Sequence, residues 1–124
     1  MSKKILIVED QEDNRTILRD LFGHVGYEIV EAANGAEGVK SALSERPDLI
    51  LMDIQMPDMD GYEATRRIKE EPSTAMIPIV VVTSYALAGD AEKAKAAGCD
   101  DYVTKPFSPR ALLTTVRRWL EETK

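Results

Sequence analysis

One cysteine, one histidine and a shortage of basic residues are what this 124-residue chain has least of. A lone Cys99 has no internal partner, so a disulfide framework is excluded and a reducing compartment is expected. Its expected role is small buried filler. No run approaches the ~18 consecutive apolar residues of a membrane helix. The opening MSKKILIVED reaches Glu9 and Asp10 after only four apolar residues, too soon for a signal peptide. The expected location is the cytoplasm, without membrane insertion. Sixteen Lys and Arg stand against 22 Asp and Glu, a net charge of −6. That balance argues against nucleic acid as a partner, because a protein surface that binds it must be basic to displace counterions. Arg110, Arg117 and Arg118 gather near the C-terminus and read as a solvated helix face, with protein docking as the rarer alternative. Linkers, low-complexity tracts and internal repeats are also missing.

What is present is ordinary globular composition, 44% hydrophobic and 31% charged, in a chain long enough for one domain over 1–124. Four apolar runs, Ile5–Val8, Ile29–Val30, Leu49–Met52 and Ile79–Val82, predict strands, with Tyr102–Val103 as a fifth. Between them the spacing is helical. Helix 1 puts Ile17, Leu18, Leu21, Phe22 and Val25 on one face and stops at Gly26. Helices 2 and 3 open with capping-box spacings, Asn34 to Glu37 and Asp60 to Glu63, and stop before Pro47 and Pro72. Helix 4 follows Asp90 and ends at Gly98. Helix 5 takes Ser108 as N-cap and Pro109 as its first residue, with Leu112, Leu113, Val116 and Leu120 inward.

Alternation of this kind predicts an α/β, doubly wound (βα)5 three-layer sandwich with a parallel five-stranded sheet. Strands 1, 3 and 4 are continuously apolar, as strands buried on both faces must be. Strand 2 (Tyr27–Ala32) alternates with glutamates and strand 5 is short and mixed, so both suit edges. Right-handed crossovers then favour the order 2-1-3-4-5, with a switch point between strands 1 and 3.

Ligands bind such sheets at the carboxyl ends of the strands. Strand 1 ends in Glu9 and Asp10, strand 3 in Asp53, strand 4 in Thr83 and Ser84, and strand 5 runs into Lys105. Clustered carboxylates either take raised pKa values or are neutralised by a cation. A set of oxygen donors without His or Cys suits a hard divalent ion, and a partial cage completed by water and phosphate suits Mg²⁺. Taken singly each residue has a plainer reading. Asp10 could cap helix 1, although Asp13 and Asn14 are nearer to that task. Asp53 could form a turn, Thr83 could be an ordinary strand residue and Lys105 a surface lysine. Their coincidence at one rim favours a site.

The segments ILIVEDQEDN, LILMDIQMPDMDG, IVVVTSYA and DDYVTKPF resemble the receiver domain of two-component response regulators, a CheY-like, flavodoxin-like fold. The likeness runs from strand 1 to helix 5. It implies Asp53 as phosphoacceptor, with Glu9, Asp10, Asp53 and the Gln55 backbone carbonyl as Mg²⁺ ligands. It implies Thr83 as the hydroxyl gripping the phosphoryl group and Lys105 as its counter-ion, preceding a cis Pro106. Thr83 and Tyr102 would form the switch pair, and Gln55, Ser84 and Tyr85 would flank the phosphoryl group. A histidine kinase or histidine phosphotransfer protein would be the donor, since His24 reads as a helix-end residue. The protein would be a monomer or a phosphorylation-dependent dimer, and no enzyme beyond catalysing its own phosphorylation and dephosphorylation. With no output domain after helix 5, a helix 4–strand 5–helix 5 surface would address a downstream protein partner.

YALAGD looks most like receivers of hybrid sensor kinases and stand-alone cell-cycle regulators, so a module excised from a hybrid kinase is an alternative. A haloacid-dehalogenase-like phosphohydrolase is a remote one. Those enzymes want a second aspartate where Gln55 stands. A flavin or cobalamin module lacks its phosphate cradle or DxHxxG segment here.

Overall fold

The computed structural model describes residues 3–83, 90–104 and 108–121. The apolar runs become β1 (Lys4–Val8), β2 (Glu28–Ala32), β3 (Leu49–Asp53), β4 (Ile79–Thr83) and β5 (Asp101–Thr104). They form one parallel sheet in the order β2-β1-β3-β4-β5. The helices are α1 (Glu12–His24), α2 (Gly35–Glu45), α3 (Gly61–Glu70), α4 (Asp90–Ala97) and α5 (Pro109–Glu121). Every residue of β3 and β4 is buried, whereas β2 and β5 are mostly half-buried or exposed. That contrast is the difference between central and edge strands that the sequence pattern carries.

Two apolar layers hold the helices to the sheet. Ile5, Ile7, Leu49 and Leu51 face Leu18 and Phe22 of α1 and Leu112 and Val116 of α5. Leu6, Val8, Ile50 and Met52 face Ala42 of α2 and Ala64 and Ile68 of α3. Each large side chain buried this way contributes about 1.5–3 kcal/mol. In α4 only small residues are available, and Ala94 and Ala97 are buried while Ala96 is exposed.

Helix ends follow local chemistry. The Asn34 and Asp60 side chains accept the N–H groups of Glu37 at 2.8 Å and Glu63 at 2.9 Å. At α2 the Glu37 carboxylate also returns past the cap to accept the Ala33 N–H at 3.2 Å. At α3 Glu63 turns instead to Arg66 and Arg67. α1 ends in paired bonds, Tyr27 N–H to the Phe22 carbonyl and Gly26 N–H to the Gly23 carbonyl. The arrangement needs a left-handed residue, and Gly26 supplies it at φ 98°. It also sets the Tyr27 ring against Phe22 in a tilted contact, with ring centroids 6.3 Å apart.

Three expectations change. Ile17 and Val25 are 57% and 37% exposed rather than core. With Leu21, Pro109 and Leu113 they line an open groove of about 590 Å³ between α1 and α5. The inward arc of α1 is narrower than its apolar stripe, so only Leu18 and Phe22 are fully covered. Tyr27 precedes β2, because its N–H closes α1 rather than joining the sheet. The N-cap of α1 is Gln11, without a side-chain cap bond, and Asp13 and Asn14 stand inside the helix.

Candidate functional site

Register decides what meets at the rim. Val8 pairs with Met52, so Glu9 and Asp53 leave adjacent strands at the same height. The chain turns from β1 into α1 on one side of the sheet and from β3 into α3 on the other, which opens a crevice between the loops. Glu9, Asp10 and Asp53 each place a carboxylate oxygen there, all within 4.8 Å of one another. Glu9 is 1% and Asp53 7% exposed, and Asp10 is half-buried. Ionised pairs this close repel by about 3 kcal/mol each at the effective dielectric of a protein surface. The donor set is oxygen alone, which fits a hard divalent cation such as Mg²⁺.

The backbone holds these acids from several directions. Glu9 N–H donates to the Ala32 carbonyl at 3.0 Å, and Gln11 N–H donates to Glu9 Oε2 at 3.1 Å. With Gln11 at the N-cap, the plainer role of Asp10 as a cap falls away. Beyond Asp53, the Ile54 carbonyl accepts N–H groups from both Met56 and Gly61, which folds the β3–α3 loop back on itself. Asp58 takes a left-handed turn conformation at φ 70°. Gly61 lies against the Asp53 carbonyl so closely that any Cβ there would strike it. That contact fixes where Asp53 ends and α3 begins.

Gln55 lies exposed in this loop, two residues past Asp53. Thr83 is the last residue of β4 and fully buried, one position beyond the Val82 that pairs with Asp53. Tyr102 is half-buried in β5 opposite Val81. The structure therefore brings Glu9, Asp10 and Asp53 together with Thr83 at the end of the next strand. Ser84, Tyr85, Lys105 and Pro106 lie outside the described residues.

Residues away from the rim are quieter. His24 is exposed in the last turn of α1. Arg110, Arg117 and Arg118 are exposed on α5, and Arg118 pairs with Asp101 at 3.0 Å. Cys99 is half-buried, and burial pushes its thiol up to about 11. Among the described residues no helix is long and apolar enough to cross a membrane. One residue beside the site escapes motif reading altogether. Arg15 donates from Nη1 to the Glu9 carbonyl at 2.8 Å, and its only sequence signal is a base one helical turn after an acidic loop.

Comparison with known proteins agrees with this geometry. The family model of the response regulator receiver domain matches residues 5–117. The polar-differentiation response regulator DivK of Brucella anthropi is 41% identical over 120 residues, covering 97% of this chain and 98% of DivK. The solved chemotaxis protein CheY4 of Vibrio cholerae superposes with a TM-score of 0.92 at 31% identity, over 97% of this chain and 100% of that one. The receiver domain of a sensor histidine kinase from Pseudomonas aeruginosa, solved with a magnesium ion in its active-site cleft, gives 0.90 at 38% identity. That match covers 97% of this chain and 98% of the other.

Proposed function

This chain belongs to the response regulator receiver family of two-component phosphorelays, and on that footing we propose that Asp53 is its phosphoacceptor. What carries the proposal is the meeting of the Glu9, Asp10 and Asp53 carboxylates within 4.8 Å at the switch point. Glu9, Asp10, Asp53 and the Gln55 backbone carbonyl are the groups that would hold Mg²⁺, which supplies charge neutralisation and alignment for phosphoryl transfer. The donor is a phosphohistidine on a histidine kinase or phosphotransfer protein. Its phosphorus–nitrogen bond breaks as an Asp53 carboxylate oxygen bonds to phosphorus, and the donor imidazole leaves.

Thr83 follows the Asp53 level by one residue and offers its hydroxyl to a phosphoryl oxygen. Lys105, by the family motif, supplies the counter-charge. Ser84, Tyr85 and Gln55 flank the group and set how readily water reaches it. Once Thr83 is drawn to the phosphoryl group, Tyr102 moves into the space it leaves and reshapes the α4–β5–α5 surface. α4 favours such movement because it is anchored mainly by Ala94 and Ala97. A protein partner reads that surface, and the chain turns over no substrate besides its own phosphoryl group. The fitting location is the cytoplasm.

Incubation with acetyl phosphate and Mg²⁺ tests this reading by intact-mass measurement. Wild type should gain one phosphate, and Asp53→Asn should gain none while keeping its circular dichroism spectrum. A wild type without the gain, or a mutant that retains it, would refute the assignment.

A further inference from the structure

We infer that Arg15 is a positioning residue that sets the Glu9–Asp10 turn for divalent-cation binding, an inference that rests on the metal reading above. The register of β1 ends at Val8, and the last rung of its ladder with β2 fixes one side of the residue that follows, Glu9. Its N–H reaches the Ala32 carbonyl of the β2 end at 3.0 Å. Its carbonyl receives the Arg15 guanidinium at 2.8 Å. Glu9 is therefore held through the peptide groups on both of its sides, and Asp10 hangs directly from the gripped carbonyl.

The guanidinium is itself fixed. Arg15 Nε stands 3.4 Å from Glu31 Oε1 in β2, and the Arg15 side chain is only 17% exposed. The other Glu31 oxygen, Oε2, pairs with Arg19 at 3.2 Å. A planar fork with several donors can join a carbonyl and a carboxylate at once, which a single ammonium on a flexible stem does poorly. Three mutually repelling carboxylates would otherwise relax by splaying the turn, since Asp10 sits on a loop and Asp53 on a strand. Groups that orient metal ligands in this way are worth about 10–100-fold in metal affinity.

The sign of the effect separates positioning from charge. Arg15 is a cation beside a cation site, so by Coulomb repulsion alone its removal should tighten Mg²⁺ binding. Loss of positioning should weaken it.

Mg²⁺ titration calorimetry on wild type, Arg15→Met, Arg19→Met and Asp10→Asn decides the matter, with the metal-free melting temperature recorded on the same samples. Arg15→Met should bind Mg²⁺ about tenfold more weakly. Arg19→Met, which loses a Glu31 pair without touching the Glu9 carbonyl, should bind as wild type does. Equal or tighter binding by Arg15→Met overturns the inference, as does an equal loss in Arg19→Met. Should Arg15→Met not fold, Arg15→Lys takes its place: it keeps the charge without the fork, and wild-type affinity there overturns the inference. A wild type that binds no Mg²⁺, or an Asp10→Asn that binds normally, removes the metal reading and this inference with it. Wild-type binding with an unaffected Arg15→Met removes this inference alone.

Discussion

Lys69 donates to Asp100 Oδ2 at 2.8 Å, and the same oxygen accepts the Ile79 N–H at 2.8 Å. The ammonium also reaches the carbonyls of Ala75 and Ile77, so one side chain ties α3, the approach to β4 and the approach to β5. This knot lies at the amino ends of the strands, opposite the acidic rim. Lys69→Met takes the ammonium away from two carbonyls and from a carboxylate that is only 30% exposed. It should cost about 2 kcal/mol in urea unfolding and leave phosphate incorporation unchanged. A loss under about 0.5 kcal/mol would reduce the knot to an ordinary surface pair.

Asp10 gives the opposite sign. Asp10→Ala removes one of three repelling carboxylates and no helix cap. Without metal it should melt higher, by about 3 °C for each 1 kcal/mol of repulsion relieved. Added Mg²⁺ should then stabilise it far less than wild type. A lower melting temperature in metal-free buffer would assign Asp10 a structural bond instead.

Gly61 tests how firmly the β3–α3 loop is set. A Cβ at this position meets backbone, the Asp53 carbonyl, which cannot swing aside as a side chain would. Gly61→Ala should destabilise by about 1–3 kcal/mol through overpacking and slow phosphorylation by displacing Asp53. Chemical denaturation and acetyl phosphate kinetics measure the two effects. Wild-type values in both would show that the loop yields freely.

Cys99 supplies a pH test. Burial raises its thiol from the ordinary 9.0 to about 11, so the folded protein favours the neutral form. At pH 8 its thiolate share is about a hundredfold below that of an unperturbed cysteine, and iodoacetamide should alkylate it correspondingly slowly. Above pH 9 the unfolded chain loses this proton more readily than the folded one. Stability should therefore fall as pH rises from 9 toward 11. Alkylation as fast as in urea-unfolded protein would contradict the burial.

The central strands were legible because parallel strands buried on both faces must be apolar throughout, and runs as short as LILM or IVVV between helical segments suit strands by length. Asn34, Asp60 and Gly26 were legible because capping and left-handed stops are satisfied within a few residues of chain. The acids were legible as a group, because strand order brings the ends of strands 1 and 3 to one rim. Their approach to within 4.8 Å is a matter of register, since Val8 must pair with Met52 before Glu9 can face Asp53.

Other features belong to the tertiary structure alone. The period of α1 places Ile17 and Val25 beside Leu18 and Phe22, yet the rotation of the helix on the sheet leaves the first pair outside. Gln11 rather than Asp13 begins that helix because the buried Glu9 carboxylate takes the Gln11 N–H. Arg15 and Lys69 look like ordinary helix bases until β2 and β5 are in place beside them. Local chemistry, closed within one or two helical turns, is written in the sequence. Bonds between residues distant in the chain exist only once packing has brought their elements together.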